Sequence, residues 1–344
     1  MKQKLVTVFC IILVVLIVNV LLNIKIYQNI LPYYWGSKDI SDKRTYLLKH
    51  QHQYNTIFLG SSKTHNQVVA ELFNQTAQKN NLDIRSYNFG ISGLTPPESF
   101  NIYNNLLSKD NLKLKYAFIE LDWIATIKYE NLNQARSFYW LNKDNYLSSI
   151  NSIFNSSVPA GRKLWGYFHY SVDYFENILN IGRLQEYVKY KDELNTHKIS
   201  GLDSDYLFKG YQPLHNTLTK AETTQFNEVI SSAKIGFKHY NSLKTSKPSY
   251  PYLQLLQKII AVSKMKGTQV YFIVPLQWKY YQYQEIIPII HNIRGANVIC
   301  LFDPEKYSSV YKPENFADPN HLNFRGAPLY TEELFKLFKF QNNN

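Results

Sequence analysis

Apolar residues change their spacing along this chain, and each change predicts a different kind of structure. From Leu5 to Leu22 they run almost unbroken, interrupted only by Thr7, Cys10 and Asn19. These 18 residues, rising ~1.5 Å each, reach ~27 Å, about one hydrocarbon core, so the run predicts a membrane-spanning helix. Asn23 to Gln53 is polar and Tyr-containing and reads as a stalk. From Tyr54 onward, short apolar runs alternate with helical patterns. The runs are Thr56–Leu59, Ile84–Phe89, Tyr116–Leu121, Val270–Val274 and Val298–Phe302. That alternation predicts an α/β domain built on a parallel sheet. A helix is expected over Thr64–Lys79, and another through Tyr252, Leu255, Leu256, Ile259, Ile260 and Met265, where Lys264 and Lys266 fall in the last turn and Gly267 supplies the stop. A final helix is expected over Ala327–Phe338.

The rhythm stops between Ile124 and Ser249, a stretch rich in Tyr, Asn, Phe and Trp without a convincing five-residue apolar strand. It separates the third strand from the fourth by far more than a usual connection. It reads as a mostly helical insertion or cap lying over one end of the sheet. The expected division is therefore an anchor at 1–24, a stalk at 25–53, the first half of the domain at 54–123, the insertion at 124–249 and the second half at 250–340. Tyr139, Trp140, Trp165, Tyr167, Phe168 and Tyr170 in the insertion suit either core packing or stacking on sugar rings.

Charge sets the expected topology. Lys2, Lys4 and the amino terminus precede the apolar run and only Lys25 follows closely, so the positive-inside rule puts the N-terminus in the cytoplasm and the rest outside it. No small-residue cleavage site follows the run, which favours an uncleaved signal anchor. The net charge of +12 suits an anionic neighbour such as lipid headgroups or acidic glycan, or serves only solubility. Without a Lys/Arg tract or zinc-finger spacing, nucleic acid is not an expected partner. Cys10 lies in the apolar run and Cys300 in an expected strand, so no disulfide is expected. The histidines lack the pairing of a metal site, and phosphate-binding glycine motifs are missing, so neither metal nor cofactor is expected.

Two short segments carry candidate chemistry. Phe58-Leu59-Gly60-Ser61-Ser62-Lys63 follows the first expected strand, and Asp318-Pro319-Asn320-His321 lies near the end of the chain. A serine hydroxyl becomes a competent nucleophile when an imidazole takes its proton and a carboxylate fixes that imidazole's tautomer. Ser62 is placed at the carboxyl edge of the sheet, where open α/β sheets bind ligands. Amides there, including that of Gly93 in the turn Asn88-Phe89-Gly90-Ile91-Ser92-Gly93, could bind an oxyanion. The plainer readings are a serine helix cap and an Asp-Pro turn. His65, one turn beyond Ser62, is read as unable to reach back to it, Glu120 as facing away from the site, and Asp122 as facing the site, orienting the Ser62 loop or capping a helix.

In these blocks the chain resembles the SGNH, or GDSL-type, hydrolase superfamily. Gly60-Ser61-Ser62 is similar to the first block, Asn88 to Gly93 to the second, and Asp318-Pro319-Asn320-His321 to the D-x-x-H block. The resemblance covers about 54–123 and 251–340. It implies a flavodoxin-like, three-layer parallel sheet, with Ser62 as nucleophile, His321 as base, Asp318 as its orienting partner, the amides of Ser62 and Gly93 as oxyanion donors, and Asn88 and Asp122 in support. One block departs: Ile119-Glu120-Leu121-Asp122-Trp123 holds no Asn where the family has G-x-N-D. Losing one oxyanion donor costs ~3 kcal/mol of transition-state stabilisation.

An anchor joined to such a domain resembles the envelope branches of the superfamily, which assist teichoic-acid D-alanylation or polysaccharide O-acetylation. The resemblance implies an extracytoplasmic acyl-ester hydrolase or O-acyltransferase acting on envelope or exported glycan. The alternatives are a non-catalytic glycan-binding or scaffold protein, and a partner subunit for a multi-pass acyltransferase.

Overall fold

The computed structural model describes residues 2–121, 132, 134–156, 159–195 and 210–342. It is an α/β protein with one long N-terminal helix, α1 (Lys2–Asn29). Within α1, Gln3–Leu22 has a mean hydropathy of 3.3 with none of that window buried, so it is long and apolar enough to cross a membrane.

Five parallel strands form the central sheet: β1 (Thr56–Gly60), β2 (Ser86–Gly90), β3 (Tyr116–Glu120), β4 (Gln269–Val274) and β5 (Asn297–Cys300). Their order is β2-β1-β3-β4-β5, the flavodoxin-like order, whose switch point lies between the first and third strands. The register pairs Phe58 with Asn88 and with Phe118, and Phe118 with Tyr271. One face of the sheet therefore carries an aromatic row, in which Phe58 stacks on Phe118 and Phe118 on Tyr271. Strands buried on both faces read as apolar runs, which is why β1 to β4 were visible in the sequence; β5, at the edge and only partly buried, was visible through Val298 to Phe302.

That aromatic face is covered by α3 (Ser62–Gln67), α4 (Ala70–Lys79) and α14 (Gly326–Asn342), with Phe73 and Phe338 set edge-on against the Phe118 ring. The expected helix over Thr64–Lys79 is thus two helices. Val68 between them is extended and Val69 is non-helical, Asn88 Nδ2 donates to the carbonyls of Thr64 and Val68, and Val69 N donates to Thr331 Oγ1. Side chains from β2 and α14 meet the groups that a continuous helix would have paired. The other face is covered by α5 (Glu98–Ser108) and α12 (Tyr250–Met265), joined by the Tyr103 to Ser263 hydroxyl bond of 2.7 Å.

The stalk reading is corrected. Helix α2 (Lys38–Lys49) buries Ile40, Lys43 and Leu47, and Tyr34 just before it is wholly buried. Polar composition concealed this because α2 touches the domain along one narrow stripe only. The segment read as a single insertion also divides. Its first part, α6 (Ser137–Trp140), α7 (Lys143–Asn155), α8 (Ala160–Leu179) and α9 (Arg183–Asn195), includes a satellite core of Leu132, Trp140, Leu141, Ile150, Ile153 and Tyr170. Its later part, α10 (Lys220–Lys238) and α11 (Tyr240–Leu243), joins the main core through Phe226, Val229 and Ala233, beside α13 (Tyr280–Asn292). Of the aromatics considered for sugar stacking, Trp140 and Tyr170 are core, Tyr139 packs on Tyr34, and Trp165, Tyr167 and Phe168 are exposed.

Candidate active site

The carboxyl end of β1 passes directly into α3, and the first residue of α3 is Ser62. At the far end of the chain, β6 (Phe316–Asp318) and β7 (His321–Leu322) form a short antiparallel hairpin ahead of α14. Gln67 Nε2 donates to Asn320 O, fastening this hairpin to α3. His321 Nε2 consequently lies 2.7 Å from Ser62 Oγ, across 259 positions of sequence. His321 Nδ1 lies 2.7 Å from Asp318 Oδ2 and 3.0 Å from Oδ1.

The Asp318 carboxylate is itself held. Its Oδ1 accepts from the amides of Asn320 and His321. Burial pushes this carboxyl upward, yet its bond with His321, the charge of that ring and the two amides outweigh burial and leave it below the ordinary carboxylate range. A carboxylate fixed this way sets the Nδ1–H tautomer, which leaves Nε2 to accept from the Ser62 hydroxyl.

The turn that presents Ser62 is organised by Glu120, the last residue of β3 and 3% exposed. Glu120 Oε2 accepts from Ser61 N, Thr64 N and Thr64 Oγ1, while Oε1 accepts from Ser61 Oγ at 2.6 Å. Ser61 Oγ in turn accepts from Lys63 N as the cap of α3. The reading that Glu120 faces away from the site is therefore corrected. Residues two apart in a strand share a face, so Glu120 lies on the Phe118 face, as does the Ser61 turn. Gly60 makes the approach feasible, since a Cβ there would stand 2.1 Å from Thr64 Oγ1 and 2.4 Å from Glu120 Oε2.

With the amides of Ser61, Lys63, Thr64 and His65 all engaged, the Ser62 amide is, among the described residues, the one in this turn without a protein partner. The turn after β2 is tied alongside by Ile91 N donating to Gly60 O, and Gly93 within it adopts φ +74°. A positive φ of this kind suits glycine. Asn88 serves by bonding: besides joining Thr64 and Val68, its Oδ1 accepts from Gly90 N, so it braces the two turns against each other. Asp122 lies outside the described residues.

His65, which the sequence reading set aside as a partner of Ser62, is buried. Burial, with the Lys43 and His321 charges adding to it, lowers its pKa to about 3, so the ring is neutral. The stretch just before α10, within the segment read as the insertion, lies close by: Gln212 N donates to His65 O, and Phe324 N donates to Leu214 O.

Lys43 was missed by sequence reasoning, which had placed it in a solvated stalk. Its ammonium is buried beneath the end of β2 and donates to Asn88 O at 3.2 Å, Gly90 O at 2.8 Å and Gly210 O at 2.5 Å. Burial lowers its pKa to about 7, against a smaller upward pull from Asp39. The linkage is therefore destabilising in acid. The unfolded lysine keeps its proton up to its ordinary, higher pKa while the folded one releases it near 7, so the unfolded state binds more protons between pH 7 and about 10, and folding stability rises through that window. Paired urea titrations of the wild type and Lys43→Met are expected to show their stability difference moving toward the wild type by up to ~1.4 kcal/mol per pH unit there. A difference constant with pH would contradict this linkage.

No protein-family model matches this chain, and no curated protein matches it.

Proposed function

We propose that this chain is a membrane-tethered, SGNH-type serine acyl-ester hydrolase or O-acyltransferase acting outside the cytoplasm on envelope or exported glycan. The observation that carries the reading is the continuous Ser62–His321–Asp318 line, with contacts of 2.7 Å at both junctions. Two ends of a chain that meet with the atoms of a nucleophile, a base and an orienting carboxylate in series fit acyl transfer better than they fit a helix cap and a turn.

In this reaction Ser62 Oγ attacks an acyl carbonyl carbon while His321 Nε2 takes its proton. The carbonyl oxygen becomes an oxyanion facing the Ser62 amide, with Gly93 as the second donor. When the tetrahedral adduct collapses, the alkoxide leaves with the proton from His321, and the acyl group stays on Ser62. Water or a sugar hydroxyl then gives its proton to His321 and attacks the acyl-serine, and collapse of this second adduct breaks the bond to Ser62 Oγ, which takes the proton back from His321 as the acid or new ester leaves. Asp318 stays ionised throughout and stabilises the imidazolium. The basic charge of the chain favours an anionic glycan or lipid surface nearby.

Incubating the full chain in detergent with an activated acetyl ester is expected to give a single acetyl adduct on the peptide containing Ser62, read by mass spectrometry. An unmodified Ser62 under conditions where the ester is consumed would reject the mechanism. The missing Asn after β3 favours the non-catalytic glycan-binding alternative, and glycan binding that persists without Ser62 and His321, in a protein that turns over no ester, would select it.

A further inference from the structure

Helix α8 has two unlike faces. Gly166, Tyr170 and Asp173 are buried inward, toward α7 and the satellite core. On the outer side Leu164, Trp165, Phe168 and Phe175 are each more than half exposed. Their spacing of three, four and seven residues keeps them on one side of the helix. Asn180 and Gly182, both with positive φ, turn the chain back into α9, which extends the exposed face through Leu184 and Val188.

The position of this hairpin says what covers it. Helix α9 packs against α1. Trp35, six residues beyond the last residue of α1, donates from Nε1 to Glu186 Oε2 at 3.0 Å and sets its ring edge-on to Tyr190 at 5.0 Å. The exposed face therefore continues onto a helix that packs against α1, the helix that holds the apolar stretch Gln3–Leu22. Arg162 and Lys163 flank it on α8, Lys163 donating to Phe154 O, while on α9 Lys189 pairs with Glu186 and Lys191, seven residues after Leu184, stands within the exposed face itself. An aromatic and aliphatic stripe with Lys and Arg beside it, on a hairpin packed against a helix apolar enough to cross a membrane, is the pattern of an interfacial helix.

We propose that the outer face of the α8–α9 hairpin lies in the bilayer interface at the exit of α1, with anionic headgroups against its basic border, and holds the domain to the membrane by a second attachment. The inference rests on α1 being a span and is independent of the chemistry at Ser62. The test uses the full chain in lipid nanodiscs containing anionic lipid, with Trp165 fluorescence isolated as the difference between wild type and Trp165→Phe. Phospholipids brominated near the headgroup end of the acyl chain are expected to quench that difference signal about twofold, and more than lipids brominated near the chain terminus. Leu164→Glu/Phe168→Glu/Phe175→Glu is expected to lose this quenching while keeping its helical circular dichroism. Co-elution with the discs establishes the span separately. A Trp165 signal unchanged by bromine in co-eluting protein would overturn the proposal and point to a second copy or a protein partner on this face.

Discussion

Ser62→Ala, His321→Ala and the double variant are expected to lose the same activity toward an activated acyl ester, about 10⁴-fold or more each. The equality is the diagnostic part. The hydroxyl and the imidazole act on one proton, so removing either ends its transfer, and removing both removes nothing further. The 2.7 Å contact between Ser62 Oγ and His321 Nε2 makes that shared step direct. Asp318→Asn belongs in the same series, because its amide would favour the wrong imidazole tautomer while keeping the shape of the loop. Initial rates checked against thermal unfolding separate lost chemistry from lost folding. Losses that multiply in the double variant would mean two independent contributions, and the triad would then be the wrong description of these residues.

The sequence made this triad legible because its parts lie at ends of strands and in short loops, where local pattern and chemistry coincide. The strands were equally plain, β1 to β4 being buried on both faces and the partly buried β5 carrying a short apolar run. What stayed hidden was long-range and polar. Lys43 looks solvated in a helix whose other residues are mostly polar, and only the folded chain shows Asn88, Gly90 and Gly210 turning their carbonyls toward it. The break at Val68-Val69 was hidden for the same reason: the groups that end α3 and start α4 come from Asn88 and Thr331, distant in sequence. Trp140 and Trp165 are chemically alike in sequence, yet one is core and the other exposed, because helix phase relative to a neighbouring element is a tertiary property.

These hidden contacts share a direction. Lys43 follows the span and holds the end of β2; Asn88 on β2 holds the end of α3; Gln67 at the end of α3 holds the loop carrying Asp318 and His321. A chain of hydrogen bonds thus connects α2 to both halves of the triad, so a protein that retains α2 is expected to keep the site's geometry better than one truncated after it.

Glu120→Ala is expected to destabilise the fold by about 2–6 kcal/mol and to lower ester turnover at least ~100-fold, whereas Glu120→Gln is expected to keep most of both. Four donors converge on this buried carboxylate: two amides and two hydroxyls. Without the side chain the hydroxyls of Ser61 and Thr64 can rotate to other acceptors, but the two amides cannot, and each buried N–H left unmade costs about 1–3 kcal/mol. The kinetic loss follows because Ser62 sits between those two amides, and a displacement of about 1 Å at a reacting atom costs on the order of 100-fold. Glutamine restores the outcome through its roles. Its carbonyl oxygen takes the place of Oε2 and receives the two amides and Thr64, while its amide donates toward Ser61 Oγ, a hydroxyl able to accept. Urea unfolding and turnover measured on the same preparations decide the matter. If Glu120→Ala matched the wild type in both, the turn at Ser62 would owe its shape to something other than this carboxylate.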